Sequence, residues 1–261
     1  MIKLLNLLTE AEKGGNAIIM GGSAGAGKST FVNQIRPDLK KAGWQELNAD
    51  KYVEDKDSPM YKNLTKASMK IDREDLPNAI ESGTNFLYDT TAANVARISG
   101  IKDDGYDVMM IMVYTHPIVS FLRNFSRERK VPTIGVLTSW NNVYRNIEEY
   151  KNLFGNKFLL VQTGVSPEEE KAIKEFDTAF KSGKLKDYFS NLLSSGKYAS
   201  TFKKDPTKVK TPEEIAKSRA QLDAQIDTLA SQFKTIESQV TKLKTADMSQ
   251  AVSAAKSFIN S

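Results

Sequence analysis

Cysteine is absent from the 261-residue chain, and histidine occurs once. The first absence removes disulfides, thiol nucleophiles and cysteine-based zinc sites together. The second removes any centre that needs two imidazoles, such as the HExxH zinc motif. Long apolar runs are lacking too: none approaches the roughly 20 residues of a membrane-spanning helix, so no membrane partner is expected. Nor is charge of one sign concentrated. Lys and Arg number 37 against 32 Asp and Glu, and the excess of +5 is spread over the first 165 residues and the remainder alike. That balance permits nucleic-acid binding without arguing for it. The opening MIKLLNLLTEAEK turns acidic early and has no small-residue cleavage site, so no secretory signal is read there. What is left is a reduced protein, expected in the cytoplasm, whose chemistry must come from carboxylates, Lys, Arg, hydroxyls and backbone groups.

Over residues 1–165 short apolar runs alternate with stretches of helical length. Strands are expected at Asn16–Met20, Gln45–Leu47, Asn85–Tyr88, Val108–Tyr114 and Lys157–Gln162. Near-continuous apolar strands between helices indicate a mainly parallel five-stranded sheet covered on both faces, an α/β three-layer sandwich. Ligands of such sheets sit beyond the carboxyl ends of the strands. Past residue 165 the pattern is helical. Ser166-Pro167-Glu168-Glu169 and Thr211-Pro212-Glu213-Glu214 each combine an N-cap, a proline at N1 and an acidic first turn. The implied organisation is an α/β domain over 1–165, helices over 166–193, a Ser/Gly/Lys-rich linker at 194–210 and an amphipathic helical extension over 211–261. From Leu222 the apolar residues Ile226, Leu229, Phe233, Ile236, Val240 and Leu243 follow heptad a/d spacing. The seam suits self-association, docking on a partner, or a fold-back onto the core, with association the favoured expectation.

The chemistry is carried by Gly22-Ser23-Ala24-Gly25-Ala26-Gly27-Lys28-Ser29, an ungapped GxxxxGK[ST], followed by Thr30. It lies after an apolar strand and opens a helix, as its mechanism requires. The glycines let successive N–H groups curl around phosphate oxygens, and the helix N-terminus adds positive potential. Lys28 would bridge the β- and γ-phosphates and the Ser29 hydroxyl would ligate Mg²⁺. With this motif the expected fold is a three-layer sandwich of the P-loop NTPase type with a P-loop domain over 1–165, and the expected cofactors are ATP and Mg²⁺. A GTPase needs DxxG and NKxD signals, and Asp89-Thr90-Thr91-Ala92 and Asn156-Lys157-Phe158-Leu159 fail both. Hydrolytic motors carry adjacent acids after the Walker B strand, whereas Asp89 is followed by Thr90. Small-molecule kinases place a carboxylate at the end of the next strand. Asp50, 22 residues beyond Lys28, stands there; its other reading is a helix N-cap. Asp89 closes the apolar strand NFLY as a Walker B equivalent, holding Mg²⁺ through water or touching substrate together with Thr90, unless both merely cap the backbone.

GGSAGAGKST, NAD at 48–50, LYDTT at 87–91 and RNFSRERKVP at 123–132 together resemble the zeta-toxin and polynucleotide-kinase-like group of P-loop kinases, over residues 14–165. The resemblance implies that Asp50 is the general base for the acceptor hydroxyl. It also implies a lid whose arginines close on the transferred phosphoryl group, here Arg127 and Arg129, while Arg123 flanks the base or the phosphates. A solvated basic face is the plainer reading of that cluster. Arg145 matches loosely an acceptor-side residue. The implied partners are ATP and a hydroxyl-bearing acceptor: a nucleoside, a nucleotide sugar, or a hydroxyl on nucleic acid. Lys51, Lys62, Lys66, Lys70 and Arg73, in the stretch where acceptor specificity should lie, suit an anionic acceptor or a plain helix surface equally. His116, Trp44 and Trp140 read as packing residues, Trp140 with an option on the acceptor cleft. A non-catalytic ATP-binding assembly protein, docking through its C-terminal helices, is the competing class, and an ATPase switch is a third.

Overall fold

The structure, a computed structural model, describes residues 14–127, 131–194 and 211–261. Its strands are β1 (Asn16–Gly21), β2 (Gln45–Asn48), β3 (Phe86–Asp89), β4 (Asp107–Tyr114) and β5 (Phe158–Gln162), paired in the order β2-β3-β1-β4-β5. Every pairing is parallel. Between the strands run α1 (Lys28–Lys41), α2 (Asp50–Glu54), α3 (Leu64–Lys70), α4 (Leu76–Glu81), α5 (Val95–Asp103), α6 (Pro117–Ser126), α7 (Thr133–Tyr144) and α8 (Ile147–Phe154). After β5 follow α9 (Pro167–Lys181), α10 (Leu185–Ser194), α11 (Pro212–Lys242) and α12 (Met248–Ile259). The expected three-layer α/β sandwich is thus what the chain builds.

Successive strand residues face opposite sides of a sheet, and the two cores divide accordingly. Ala17 and Ile19 of β1, with Met110 and Met112 of β4, enter one core. Ile18 and Met20, with Ile111 and Val113, enter the other. Both faces are covered, which is why these strands read as unbroken apolar runs rather than alternating ones.

Both anticipated caps form as complete capping boxes, Ser166 with Glu169 and Thr211 with Glu214. The seam of α11 joins the first core: Ile226, Leu229, Phe233, Ile236 and Val240 are buried there, with Leu222 and Leu243 partly so. The Phe233 ring lies 5.2 Å from that of Phe176, 5.0 Å from Phe180 and 5.2 Å from the His116 imidazole. An association surface made of this seam is therefore not what the chain builds. Heptad spacing specifies an apolar stripe without saying what covers it, and here the stripe is covered by α7, α8 and α10, and by Phe176 and Phe180 of α9. Residues 195–210 of the expected linker lie outside the described residues, while Ser194 ends α10.

After α11 the chain crosses the sheet edge. Ala246 makes a parallel bridge to Val161, and its N–H donates to the Leu160 carbonyl at 2.8 Å. The helix α12 then packs on the second face, where Ala251, Val252, Ala255 and Phe258 meet Phe31, Val32 and Ile35 of α1. The C-terminal segment thus covers both faces and part of the β5 edge. His116 caps α6, its Nδ1 accepting from the Ile118 amide at 3.3 Å, and burial pushes its pKa down to about 3, so it stays neutral. Trp140 is fully buried and donates to the Thr115 carbonyl at 2.9 Å, a packing role.

If the C-terminal helices are integral to the core, Phe233→Ala should cost about 3–5 kcal/mol of stability. Urea unfolding followed by circular dichroism measures this. A loss near zero would mean that α11 is only loosely attached.

Candidate active site

The loop between β1 and α1 is held from behind by a buried hydroxyl network. The Ser23 N–H donates to the Tyr144 hydroxyl at 3.2 Å, and Ser23 Oγ lies 3.1 Å from both Tyr144 Oη and Ser120 Oγ. Tyr144 donates in turn to the Val113 carbonyl at 2.7 Å, and Ser120 Oγ to the Ala24 carbonyl. Burial pushes the Tyr144 pKa up to about 12, so it remains a neutral donor. Gly25 takes φ 78°, and a Cβ there would lie 2.6 Å from the Ser120 carbonyl oxygen, so only glycine fits. Strand β4 and helices α6 and α7 thereby fix the loop's shape in advance.

Lys28 begins α1, and its Nζ donates to the Gly22 carbonyl at 2.8 Å and the Ser23 carbonyl at 3.3 Å. Burial lowers its pKa, opposed by the carboxylates of Asp89 and Asp50 and assisted by Arg127. These four charged groups therefore share one electrostatic environment. Parallel register sets the carboxylates side by side: Met20 of β1 pairs with Asp89 of β3, and Asp89 with Asn48 of β2. Asn48 links them, donating from Nδ2 to Asp89 Oδ2 at 3.2 Å and accepting the Asp50 N–H on Oδ1 at 2.8 Å. The cap of α2 is Ala49, with no side-chain cap, so Asp50 is not the N-cap. Burial, with Asp50 and Glu46 nearby, pushes the Asp89 pKa up to about 6 against the pull of Lys28 and Arg127. Thr90 adjoins it and lines the same cavity.

Two cavities open here. One, of about 400 Å³, is lined by Asp50, Asp89, Thr90, Asp72, Tyr88 and Arg97 among others. The second, of about 500 Å³, is lined by the loop from Ser23 through Thr30 (Ala24 apart), by Arg123, Ser126 and Arg127, and by Thr163, Gly164 and Met248. Lys28, Ser29 and Arg127 line both. Two ligands could thus meet at one lysine, one hydroxyl and one arginine.

Not every anticipated side chain arrives there in the same form. Arg123 borders the second cavity, but its guanidinium is engaged: Nε and Nη2 bond Glu169 at 2.7 and 3.0 Å, and Nη1 donates to Thr163 Oγ1 at 2.7 Å. It braces the loop after β5 against α6. Arg145, the looser expectation, is exposed at the C-cap of α7 and lines neither cavity. Tyr144 turns inward to the loop, and one residue further around the helix, about 100° on, points elsewhere. Arg129 lies outside the described residues. None of Lys51, Lys62, Lys66, Lys70 and Arg73 lines either cavity. Lys70 pairs with Glu74 at 2.7 Å and Asp75 at 3.2 Å, and Lys51 donates to the Glu46 carbonyl at 2.7 Å.

What the sequence concealed is Asp72, Tyr88 and Arg97. Between α3 and α4 the residues Ile71–Asp75 form a π-helical turn, with the Leu76 N–H donating to the Ile71 carbonyl five residues back. Pro77 follows and has no N–H to continue an α-helical ladder, which accounts for the wider turn. Within that turn Asp72 accepts from the Tyr88 hydroxyl at 2.7 Å and pairs with Arg97 of α5. Burial and Asp72 push the Tyr88 pKa up to about 12. A π turn has no sequence period to read, and the three partners lie far apart in the chain.

The zeta toxin family model matches residues 6–159, more than half of the chain. The chain belongs to the zeta toxin family. Solved structures similar to it include a chain from the PezAT chromosomal toxin–antitoxin system of Streptococcus pneumoniae, at 20% identity and TM-score 0.43, covering 61% of this chain and 75% of that one. A gluconokinase from Sinorhizobium meliloti 1021 shares 16% identity at TM-score 0.40, over 59% and 86% of the two chains. A chain of the AvrRxo1-ORF1:-ORF2 complex shares 16% identity at TM-score 0.47, over 88% and 86%. A search of curated proteins finds no match. This zeta toxin family member is a P-loop kinase-like protein, and its family match contains the loop, Asn48, Asp50, Asp89 and Arg97 but ends before Thr163. Among the described residues no helix is long and apolar enough to cross a membrane.

Because the loop rests on the Tyr144 hydroxyl, Tyr144→Phe leaves the Ser23 N–H and the Val113 carbonyl short of a partner. It should cost about 1–3 kcal/mol and weaken nucleotide binding, as thermal melts with and without ATP would register. Unchanged melting and affinity would mean that the network does not support the loop.

Proposed function

We propose that the chain is an Mg²⁺-dependent kinase that moves the γ-phosphate of ATP to a hydroxyl of a nucleotide-type acceptor: a nucleoside, a nucleotide sugar or a nucleic-acid hydroxyl. The observation that carries this reading is the meeting of two cavities at Lys28, Ser29 and Arg127. A hydrolase needs one ligand cavity and water; a transferase needs two that converge on the reacting phosphorus. The loop cavity suits the donor, since it holds the amides and lysine that recognise a triphosphate. The Asp50 cavity suits the acceptor.

In this reading Lys28 and the loop N–H groups bind the donor phosphates. Asp50 accepts the proton of the acceptor hydroxyl as its oxygen forms the new bond to phosphorus, and the bond from phosphorus to the β–γ bridging oxygen breaks, releasing ADP. Arg127 offsets the charge on the moving phosphoryl oxygens, with Arg129 proposed as its companion. The donors Ser29 and Asp89 suit Mg²⁺, a hard cation that takes few protein oxygens beside phosphate and water. The desolvated Asp89 carboxylate, with Asp50 and Glu46 near it, favours a cation at that spot. The chemistry that a Mg²⁺ ion would supply there is neutralisation of the donor's phosphate charge. Asn48 keeps Asp50 and Asp89 at a fixed separation, and Arg97, anchored by Asp72, offers a positive group to an anionic acceptor. Residues 1–165 would then carry the chemistry, with 211–261 supporting it. The competing scaffold reading relied on an apolar seam open to a partner, and the burial of that seam weakens its support.

The test is transfer of label from γ-labelled ATP to separate pools of nucleosides, nucleotide sugars, DNA and RNA. With the labelled pool as acceptor, Asp50→Asn should lower kcat by about 10²–10⁴ while ATP affinity holds. Full transfer by that variant, or label released only as phosphate whatever the pool, would contradict the proposal. For an anionic acceptor, Arg97→Ala should raise its KM about tenfold or more with little change in kcat. An unchanged KM would remove Arg97 from acceptor binding.

A further inference from the structure

We propose that Met248 forms the nucleoside wall of the donor cavity, which makes the C-terminal helices part of the nucleotide-binding machinery. The inference rests on the kinase reading and adds to it a site for the non-phosphate half of the donor. With the γ-phosphate at the junction of the two cavities, by Lys28, Ser29 and Arg127, the nucleoside must extend into the part of the donor cavity not shared with the acceptor side. That part is bordered by Arg123 and Ser126 from α6, by Thr163 and Gly164 after β5, and by Met248.

The chemistry of that border is uneven. Thr163 Oγ1 accepts from Arg123 Nη1 at 2.7 Å, and the Gly164 carbonyl accepts from Arg123 Nη2 at 2.5 Å. Both of these acceptors therefore already hold a hydrogen bond. Among the described residues that line the cavity, Met248 is the single large apolar one. It is half-buried, seated partly on the second core and partly in the cavity. A polarisable, flexible thioether suits the face or edge of an aromatic heterocycle.

Four contacts fix Met248 in this place. Just upstream, the bridge from Ala246 to Val161 sets the segment level with the end of β5, one residue before Thr163 begins the loop. The capping box of Asp247 and Gln250 makes Met248 the first helical residue. Further along α12, Lys256 pairs with Asp38 at 3.2 Å and Phe258 meets Trp44 edge-on at 6.1 Å, locking the helix along α1, the helix that starts at Lys28. The family match ends at residue 159, so this wall lies beyond it.

The experiment is calorimetric titration of the full chain, with Mg²⁺ present, using ATP and inorganic tripolyphosphate in parallel. The parent chain should bind ATP more tightly than tripolyphosphate. Met248→Ala should weaken ATP about two- to tenfold and leave tripolyphosphate unchanged, and Met248→Leu should recover most of the ATP affinity. Unchanged ATP binding in Met248→Ala overturns the inference and spares the kinase reading. So does parallel weakening of both ligands, which would mark a purely structural effect on the loop. A parent chain that binds neither ligand overturns both.

Discussion

Parallel pairing of Met20 with Asp89, and of Asp89 with Asn48, brings three strand ends level at the carboxyl end of the sheet. The phosphate-binding loop leaves from the first, the proposed base follows the last by two residues, and the proposed metal carboxylate is the middle one. Because the spacing between parallel strands is about 4.8 Å, these groups fall within reach of one phosphate without any loop having to place them. The Asn48 side chain then ties the two carboxyl-bearing positions together. A slip of one residue in that register would send Asp89 to the opposite face and leave Lys28 with Arg127 and no facing carboxylate on β3.

Electrostatics at that end of the sheet follow from the same crowding. Lys28 and Arg127 face Asp89 and Asp50, and the desolvated carboxylate of Asp89 is held up to about 6. Such a site favours added charge of both kinds: phosphate against the lysine and arginine, and a cation against the carboxylates. The helices behind it provide rigidity. Tyr144 and Ser120 hold the loop through hydroxyls, and the loop's left-handed glycine at position 25 leaves no room for a side chain. The C-terminal helices complete the enclosure by covering the two faces of the sheet, one core each.

The loop, the five strands and the positions of Asp50 and Asp89 were legible because local chemistry dictates them: a glycine-rich turn after an apolar run, and acids at strand ends. The capping boxes at Ser166 and Thr211 were legible for the same reason. The heptad from Leu222 announced an apolar stripe but not its cover, since periodicity is a property of one helix and burial a property of two. Arg123 and Arg145 show the opposite limit. An arginine's type says that it can meet phosphate, and only packing reveals that Glu169 already holds the first and that the second faces outward. Asp72 and Arg97 were not legible because a π turn has no sequence period and because their partnership with Tyr88 is purely tertiary. The bridge from Ala246 to Val161, and with it the placement of Met248, was equally invisible in a segment with no strand signal.

In the proposed reaction donor and acceptor occupy separate cavities meeting at Lys28, Ser29 and Arg127. A crystal structure with Mg²⁺ and a non-transferable ATP analogue tests it most directly. The γ-phosphate is expected beside Lys28 and Arg127, with the nucleoside on the Thr163 side and the Asp50 cavity left open. A nucleoside lying in the Asp50 cavity, or a triphosphate bound away from the loop, would contradict it.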